Sequence, residues 1–198
     1  MVQDYGTLHL EDRTTTPFDP AWVLRWDRFD PASEGTREVL CTLANGYWGT
    51  RGAVPGTRIS SVHYPGTYMA GVFNRLTSMV QGRVVETEHM VNIQDWTPLV
   101  VTPRHGRPLL PGEENLVEYG QEMDLRRGVL SRTMTFEDEQ GRRTTVHTRQ
   151  FTSLANRHLA AIELTVVAEN WSGDLTVRSK IEGRVANLNV SDDRTLAN

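Results

Sequence analysis

Leu130-Ser131-Arg132-Thr133-Met134-Thr135-Phe136, then Asp138-Glu139-Gln140-Gly141, then the extended run from Arg143 to Phe151, is the stretch that decides the fold. Leu130, Met134 and Phe136 fall on one side of a two-residue period, which places them on one face of a pleated strand. The four residues after them form a turn, so the whole reads as an antiparallel hairpin. Working outward, Ile162, Leu164 and Val166 alternate with Glu163 and Thr165. Leu175, Val177, Ser179 and Ile181 alternate in the same way with Thr176, Arg178 and Lys180. Both runs have the pattern of half-buried strands, and Asn170 to Gly173 separates them. No segment holds an i, i+3, i+4, i+7 apolar stripe for three turns with caps at its ends, so few or no helices are expected. Short strands joined by Gly, Asp and Asn turns predict an all-β fold, a large antiparallel β-sandwich.

Toward the amino terminus the first thirty-odd residues read as irregular, punctuated by Pro17, Pro20 and Pro31, with Trp22, Trp26 and Phe29 as anchors to a core. Pro103 to Pro111 reads as a long surface loop. At the other end the strand-like pattern is still running through Val185, Leu188 and Val190 at Asn198, which suggests a sandwich that is incomplete there.

With 198 residues the chain can bury a proper core, and a hydrophobic share of 38% with 23% charged residues is a globular composition. A net charge of −4, mixed in sign along the chain, points to neither a nucleic-acid partner nor a membrane surface. No apolar run approaches the roughly 20 residues that a bilayer span requires. Met1 to Leu10 has neither a basic nor an apolar region of signal-peptide type, and the chain reads as cytoplasmic. On that reading the sequons at Asn170 and Asn189 are chance matches. One cysteine, Cys41, rules out an intrachain disulfide, and its setting between Leu40 and Thr42 makes it a small buried hydrophobe.

Three blocks of sequence and two shorter ones carry a family resemblance. Glu38-Val39-Leu40-Cys41-Thr42-Leu43-Ala44-Asn45-Gly46-Tyr47-Trp48-Gly49-Thr50-Arg51-Gly52 is the first, and Tyr64-Pro65-Gly66-Thr67-Tyr68-Met69-Ala70-Gly71-Val72-Phe73-Asn74 the second. Glu88-His89-Met90-Val91-Asn92-Ile93-Gln94-Asp95-Trp96 is the third. Met123 to Leu130 with Arg132, and Arg149-Gln150-Phe151-Thr152-Ser153, complete the set, Gln150 standing where the family pattern has arginine. In this order, from about Trp26 to Asn189, they resemble the start of glycoside hydrolase family 65 proteins, the phosphorylases and hydrolases of α-linked glucosides such as maltose, trehalose and kojibiose. The resemblance implies a super-sandwich of galactose-mutarotase type over residues 1–198, preceding a helical linker and an (α/α)6 barrel that carries the catalytic acid. It implies no cofactor, with inorganic phosphate as co-substrate of the parent enzyme if that enzyme is a phosphorylase. The partners it implies are the barrel of the same polypeptide, an α-linked glucose disaccharide, and a second copy in a homodimer.

The residues themselves offer no catalytic constellation. Glycoside cleavage usually needs two carboxyls roughly 5–10 Å apart, or one with bound phosphate. Glu86 and Glu88 lie on one face of a strand, but they read as solvated. The six histidines have no metal-binding spacing, Ser33, Ser60 and Ser153 lie in no nucleophile elbow, and Asn45-Gly46 reads as a tight turn rather than part of a phosphate loop. No catalytic residue and no metal ligand is therefore expected. The candidates for substrate or interdomain contact are Trp48, Arg51, Tyr64, Tyr68, Asn74 and Trp96. Aromatic faces can stack on sugars, which leaves a free-standing carbohydrate-binding module, with Trp48 and Trp96 as platforms, as the alternative to a supporting domain. The Gly- and aromatic-rich Tyr64–Asn74 loop is expected to pack against the barrel.

Overall fold

The computed structural model describes residues 20–187 except 113. Met1 to Leu10, Pro17, His9, Leu188, the Asn189 sequon and Val190 lie outside the described residues. In chain order the elements are β1 (Val23–Trp26), α1 (Pro31–Leu40), β2 (Leu43–Ala44), β3 (Trp48–Thr50), β4 (Thr67–Met69), β5 (Phe73–Val80) and β6 (Arg83–Met90). They continue with β7 (Leu99–Pro103), β8 (Leu116–Asp124), β9 (Val129–Glu137), β10 (Arg143–Thr152), β11 (Ala160–Ala168) and β12 (Leu175–Ser179).

The hairpin read from sequence is the middle of a five-stranded antiparallel sheet ordered β1-β8-β9-β10-β11. Its turn is built by Asp138, whose carboxylate accepts from the amides of Gln140 and Arg142 and from the Arg142 Nε at 2.7 Å. Burial alone would raise the Asp138 pKa, but those hydrogen bonds outweigh it and hold the carboxyl below its ordinary value. The period-2 pattern then sets what is inside. Met134 pairs with Val146 and Leu130 with Gln150, and all four are buried on one face of the sheet.

A second sheet, β7 with β12, packs over one half of that face. Val101 of β7 enters a core with Val54, Leu109, Tyr119, Met134, Phe136 and Val146. Over the other half, Cys41 and Leu43 join Met123 and Leu130, flanked by Leu24 and Trp26. The small β2-β3-β4 sheet begins at Leu43 of this cluster. Antiparallel layers enclosing these two apolar clusters make the all-β sandwich that the pattern predicts. Cys41 is fully buried, and desolvation pushes its thiol pKa up, as expected of a packing residue. Among the described residues no helix is long and apolar enough to cross a membrane.

Three local expectations are corrected. Residues 23–26, read as irregular, form β1, in register with Gln121 to Asp124 of β8. The β12 run, read as half-buried, is exposed on both faces, with Val177 47% and Ile181 73% accessible, because among the described residues no element but its edge partner β7 packs extensively against it. The Pro103–Pro111 loop is at the surface at Arg104, His105, Arg107 and Pro108, as expected, but its last part folds back: the Leu109 amide donates to the Val101 carbonyl, and Leu109 and Pro111 are buried.

The one α-helix among the described residues, consistent with an expectation of few or none, is α1, of ten residues. Asp30 caps it, accepting from the Ala32 amide at 3.1 Å, and Pro31 occupies the first turn, where a missing N–H costs nothing. Its buried side is polar. Glu34, Arg37 and Glu38 are turned inward, while Val39 and Leu40 are more than half exposed. An apolar-stripe criterion cannot detect such a helix.

Candidate functional site

Glu38 organises the region that holds the candidate residues. It sits in the last turn of α1 and is completely buried, and a carboxylate there must be compensated. Its Oε1 lies 2.9 Å from His63 Nδ1, its Oε2 accepts from the Tyr64 amide at 2.8 Å, and Arg51 Nη2 lies 3.5 Å from Oε2. Arg51 in turn donates from Nε to the Tyr64 carbonyl at 2.7 Å, and its guanidinium lies 5.0 Å from the Tyr64 ring centroid. One buried carboxylate thereby ties helix α1, strand β3 and the entry of the Tyr64–Asn74 loop together.

The Tyr64–Asn74 stretch, expected as a loop, contains strand β4 and the start of β5, and its remainder is held from the other side. Asn92 is buried, its Oδ1 accepts from the Thr67 amide, and its Nδ2 reaches the carbonyls of Pro65 and Ala186. Tyr68 donates from its hydroxyl to that of Tyr64 at 3.4 Å, and Tyr64 donates to the Ala186 carbonyl. Burial, reinforced by that contact with Tyr64, pushes the Tyr68 pKa upward. Gly66 belongs here for steric reasons: a β-carbon on it would lie 3.0 Å from both Arg51 Cδ and the Tyr68 ring.

The register of β3 with β4 divides the predicted residues. Trp48 pairs with Met69, Gly49 with Tyr68 and Thr50 with Thr67, so Trp48 and Tyr68 project from opposite faces. On one face Trp48 and Trp96 stack, centroids 5.9 Å apart at 24°, and Trp96 Nε1 donates to Thr50 Oγ1 at 3.0 Å. On the other lie Arg51, Tyr64 and Tyr68. Asn74 joins neither group. It is exposed on β5, opposite His89 of β6.

Asn45 makes the expected turn and more. Its Oδ1 accepts from the amides of Tyr47 and Trp48, its Nδ2 donates to the carbonyls of Ser153 and Arg157, and Gly46 takes the left-handed φ of 82° that glycine tolerates. Arg132, buried on the inner face of β9, donates from Nε to Gln121 Oε1 at 2.8 Å and from Nη2 to the Gly52 carbonyl. Glu38, Asn92, Arg132 and Gln121 were not singled out from sequence as functional side chains. For Glu38, Asn92 and Arg132 the available signal was their place in the quoted blocks.

Chemically, the arrangement positions loops. Each buried carboxylate named here has a cationic or N–H partner. Glu34 faces Arg37 at 3.0 Å, although burial still raises its pKa. Glu86 and Glu88 share the exposed Arg75 across the β5–β6 hairpin at 3.7 and 2.8 Å, as a solvated strand face would. Among the described residues no group of three or more His, Cys, Asp or Glu is placed to hold a metal ion.

The antiparallel sandwich has Glu38, Arg51 and Asn92 engaged in internal hydrogen bonds. The chain belongs to glycosyl hydrolase family 65: the model of that family's N-terminal domain matches residues 24–198. Its relatives include an uncharacterized glycosyl hydrolase of Mycobacterium tuberculosis, 39% identical over 179 residues, which are 90% of this chain and 14% of that protein. A kojibiose phosphorylase of Caldanaerobacter subterraneus subsp. tengcongensis is 32% identical over 175 residues, 85% of this chain and 21% of that protein. An alpha,alpha-trehalose phosphorylase of Thermoanaerobacter brockii is 28% identical over 195 residues, 93% of this chain and 25% of that protein. The chain thus spans a quarter or less of the length of these relatives. The solved structure named "Putative kojibiose phosphorylase from human microbiome" shares the fold, with a TM-score of 0.66 at 19% identity over 73% of this chain and 19% of that one.

Proposed function

We propose that residues 1–198 form a non-catalytic amino-terminal sandwich that supports the catalytic barrel of an α-glucoside phosphorylase or hydrolase in carbohydrate metabolism. The observation that carries this reading is the use made of the family blocks. Glu38, Arg51 and Asn92 spend their polar atoms on carbonyls, amides and one another, fixing the segment that begins at Tyr64, and Asn45 spends its own on the Tyr47–Trp48 turn and the Ser153 and Arg157 carbonyls, rather than leaving reactive groups convergent on a cleft. A segment fixed so firmly by these bonds and by the pairing of β4 with β3 is suited to present Tyr64 and Tyr68 to a neighbouring domain and to wall one side of a disaccharide cleft there. Inorganic phosphate would serve the parent enzyme as co-substrate if it is a phosphorylase. A cytoplasmic location and a homodimeric assembly belong to the same reading.

The test is a turnover assay on this chain with maltose, trehalose and kojibiose, with and without phosphate, which should show no cleavage. In the polypeptide that includes the barrel, Tyr68→Ala should impair activity or domain docking, and unchanged kinetics and melting would sink the interdomain role. The stacked Trp48–Trp96 pair favours the second reading, a free-standing carbohydrate-binding module. A saturable change in tryptophan fluorescence on titration with those disaccharides, abolished by Trp48→Ala, would establish it instead.

A further inference from the structure

The outer face of the β7–β12 sheet carries a charge distribution opposite to that of the whole chain. Thr176, Arg178 and Lys180 project on the side of β12 that faces away from Val101 and the core, because Arg178 pairs with Val100 and Val177 with Val101. That side forms the floor of a cleft of about 1190 Å³ between β12, the 56–59 turn and the 103–110 loop. Arg58, Arg104, Arg178, Lys180 and Arg184 line it, against the carboxylates of Asp95 and Glu182 alone. The protein as a whole carries a net charge of −4.

The pairing inside the cleft is incomplete. Arg104 is bound to Asp174 at 3.0 Å and Lys180 is bound to Glu182. Asp95 turns its Oδ1 to the amide and hydroxyl of Thr97. Arg58, Arg178 and Arg184 have no carboxylate within ion-pair distance among the described residues, and all three are exposed. Guanidinium groups are always charged and present a planar fork that fits two oxygens of one phosphate or carboxylate. Three of them on one concave surface, with Ile59, Val100 and Leu110 supplying apolar walls, make a surface complementary to a multiply charged oxyanion.

We propose that this cleft binds a small ligand bearing two or more phosphate-type negative charges, with Arg58, Arg178 and Arg184 as its recognition groups. This goes beyond the supporting role and does not depend on it. The experiment is isothermal titration of the chain with pyrophosphate at low ionic strength, against sodium chloride at matched ionic strength. Saturable binding to one site is expected, weakened about tenfold or more in the double variant Arg58→Gln, Arg178→Gln by loss of charge-assisted hydrogen bonds. Arg75→Gln, on the remote hairpin, should bind as the unaltered chain does. Because the substituted arginines are exposed, both variants should keep the parent melting temperature, which the same samples report. A non-saturating response, an equal response to chloride, or undiminished binding by the double variant would overturn the proposal.

Discussion

Gly52→Ala tests whether the contact between α1 and the strand region is as close as the structure has it. A β-carbon at Gly52 would stand 2.5 Å from Cys41 Cβ and 2.7 Å from the Cys41 carbonyl oxygen. Carbon atoms in contact prefer about 3.5–4.0 Å, so the two segments must part by about 1 Å. They cannot do so freely. The Gly52 amide donates to the Glu38 carbonyl at 2.8 Å, and the Gly52 carbonyl accepts from the buried Arg132. Overpacking costs about 1–3 kcal/mol, and leaving a buried polar group without its partner adds about 1–3 kcal/mol more. The expected loss is therefore about 2–6 kcal/mol, a fall in Tm of roughly 4–24 °C for a domain of this size. Urea unfolding followed by circular dichroism reads it as a lower midpoint at unchanged slope. Gly35→Ala is the control. It lies on the exposed side of α1 with no atom within 4 Å of its would-be β-carbon, so it should gain about 0.5–1 kcal/mol. A Gly52→Ala loss below about 1 kcal/mol would refute the close-contact argument.

Three further outcomes are expected. Glu38→Gln removes the charge that His63, the Tyr64 amide and Arg51 share, and should cost about 3–5 kcal/mol in the same assay, as breaking buried pairs does; a cost near zero would mean that the carboxylate is not the organising group. Because its folded pKa is depressed, ionised Asp138 adds stability above its unfolded pKa of about 3.9, and this is lost as pH falls through the lower folded value. Asp138→Asn should accordingly flatten the loss of stability as pH falls below about 4, and parallel curves for the two proteins would contradict the turn geometry. Cys41, with its thiol buried and its pKa raised by desolvation, should react with a thiol reagent at pH 8 only as fast as the domain opens, so prompt labelling of the folded chain would place it at the surface instead.

The sequence by itself determined the hairpin at the middle of the sheet. Met134 with Val146 and Leu130 with Gln150 follow from a two-residue period and from a turn whose Asp138 supplies its own hydrogen bonds, and both signals are local. The family, too, was legible in the blocks around Asn45-Gly46, Tyr64-Pro65-Gly66 and Asn92. Only the tertiary structure decided what those blocks do. Glu34, Arg37, Glu38 and Cys41 have the i, i+3, i+4, i+7 spacing of a core-facing helical stripe, but three of the four are charged. Charged side chains can face inward only where partners from distant segments meet them, and His63, Tyr64 and Arg51 are such partners for Glu38. Likewise Trp48 and Tyr68, close in the aromatic reading of the sequence, are sent to opposite faces by one strand pairing. The cationic cleft exists because β12 pairs with β7 from seventy residues earlier in the chain rather than with its neighbour β11. Period and turn chemistry act over a few residues and can be read directly. Compensation of a buried charge and the choice of strand partner act across the fold, and only the folded chain contains them.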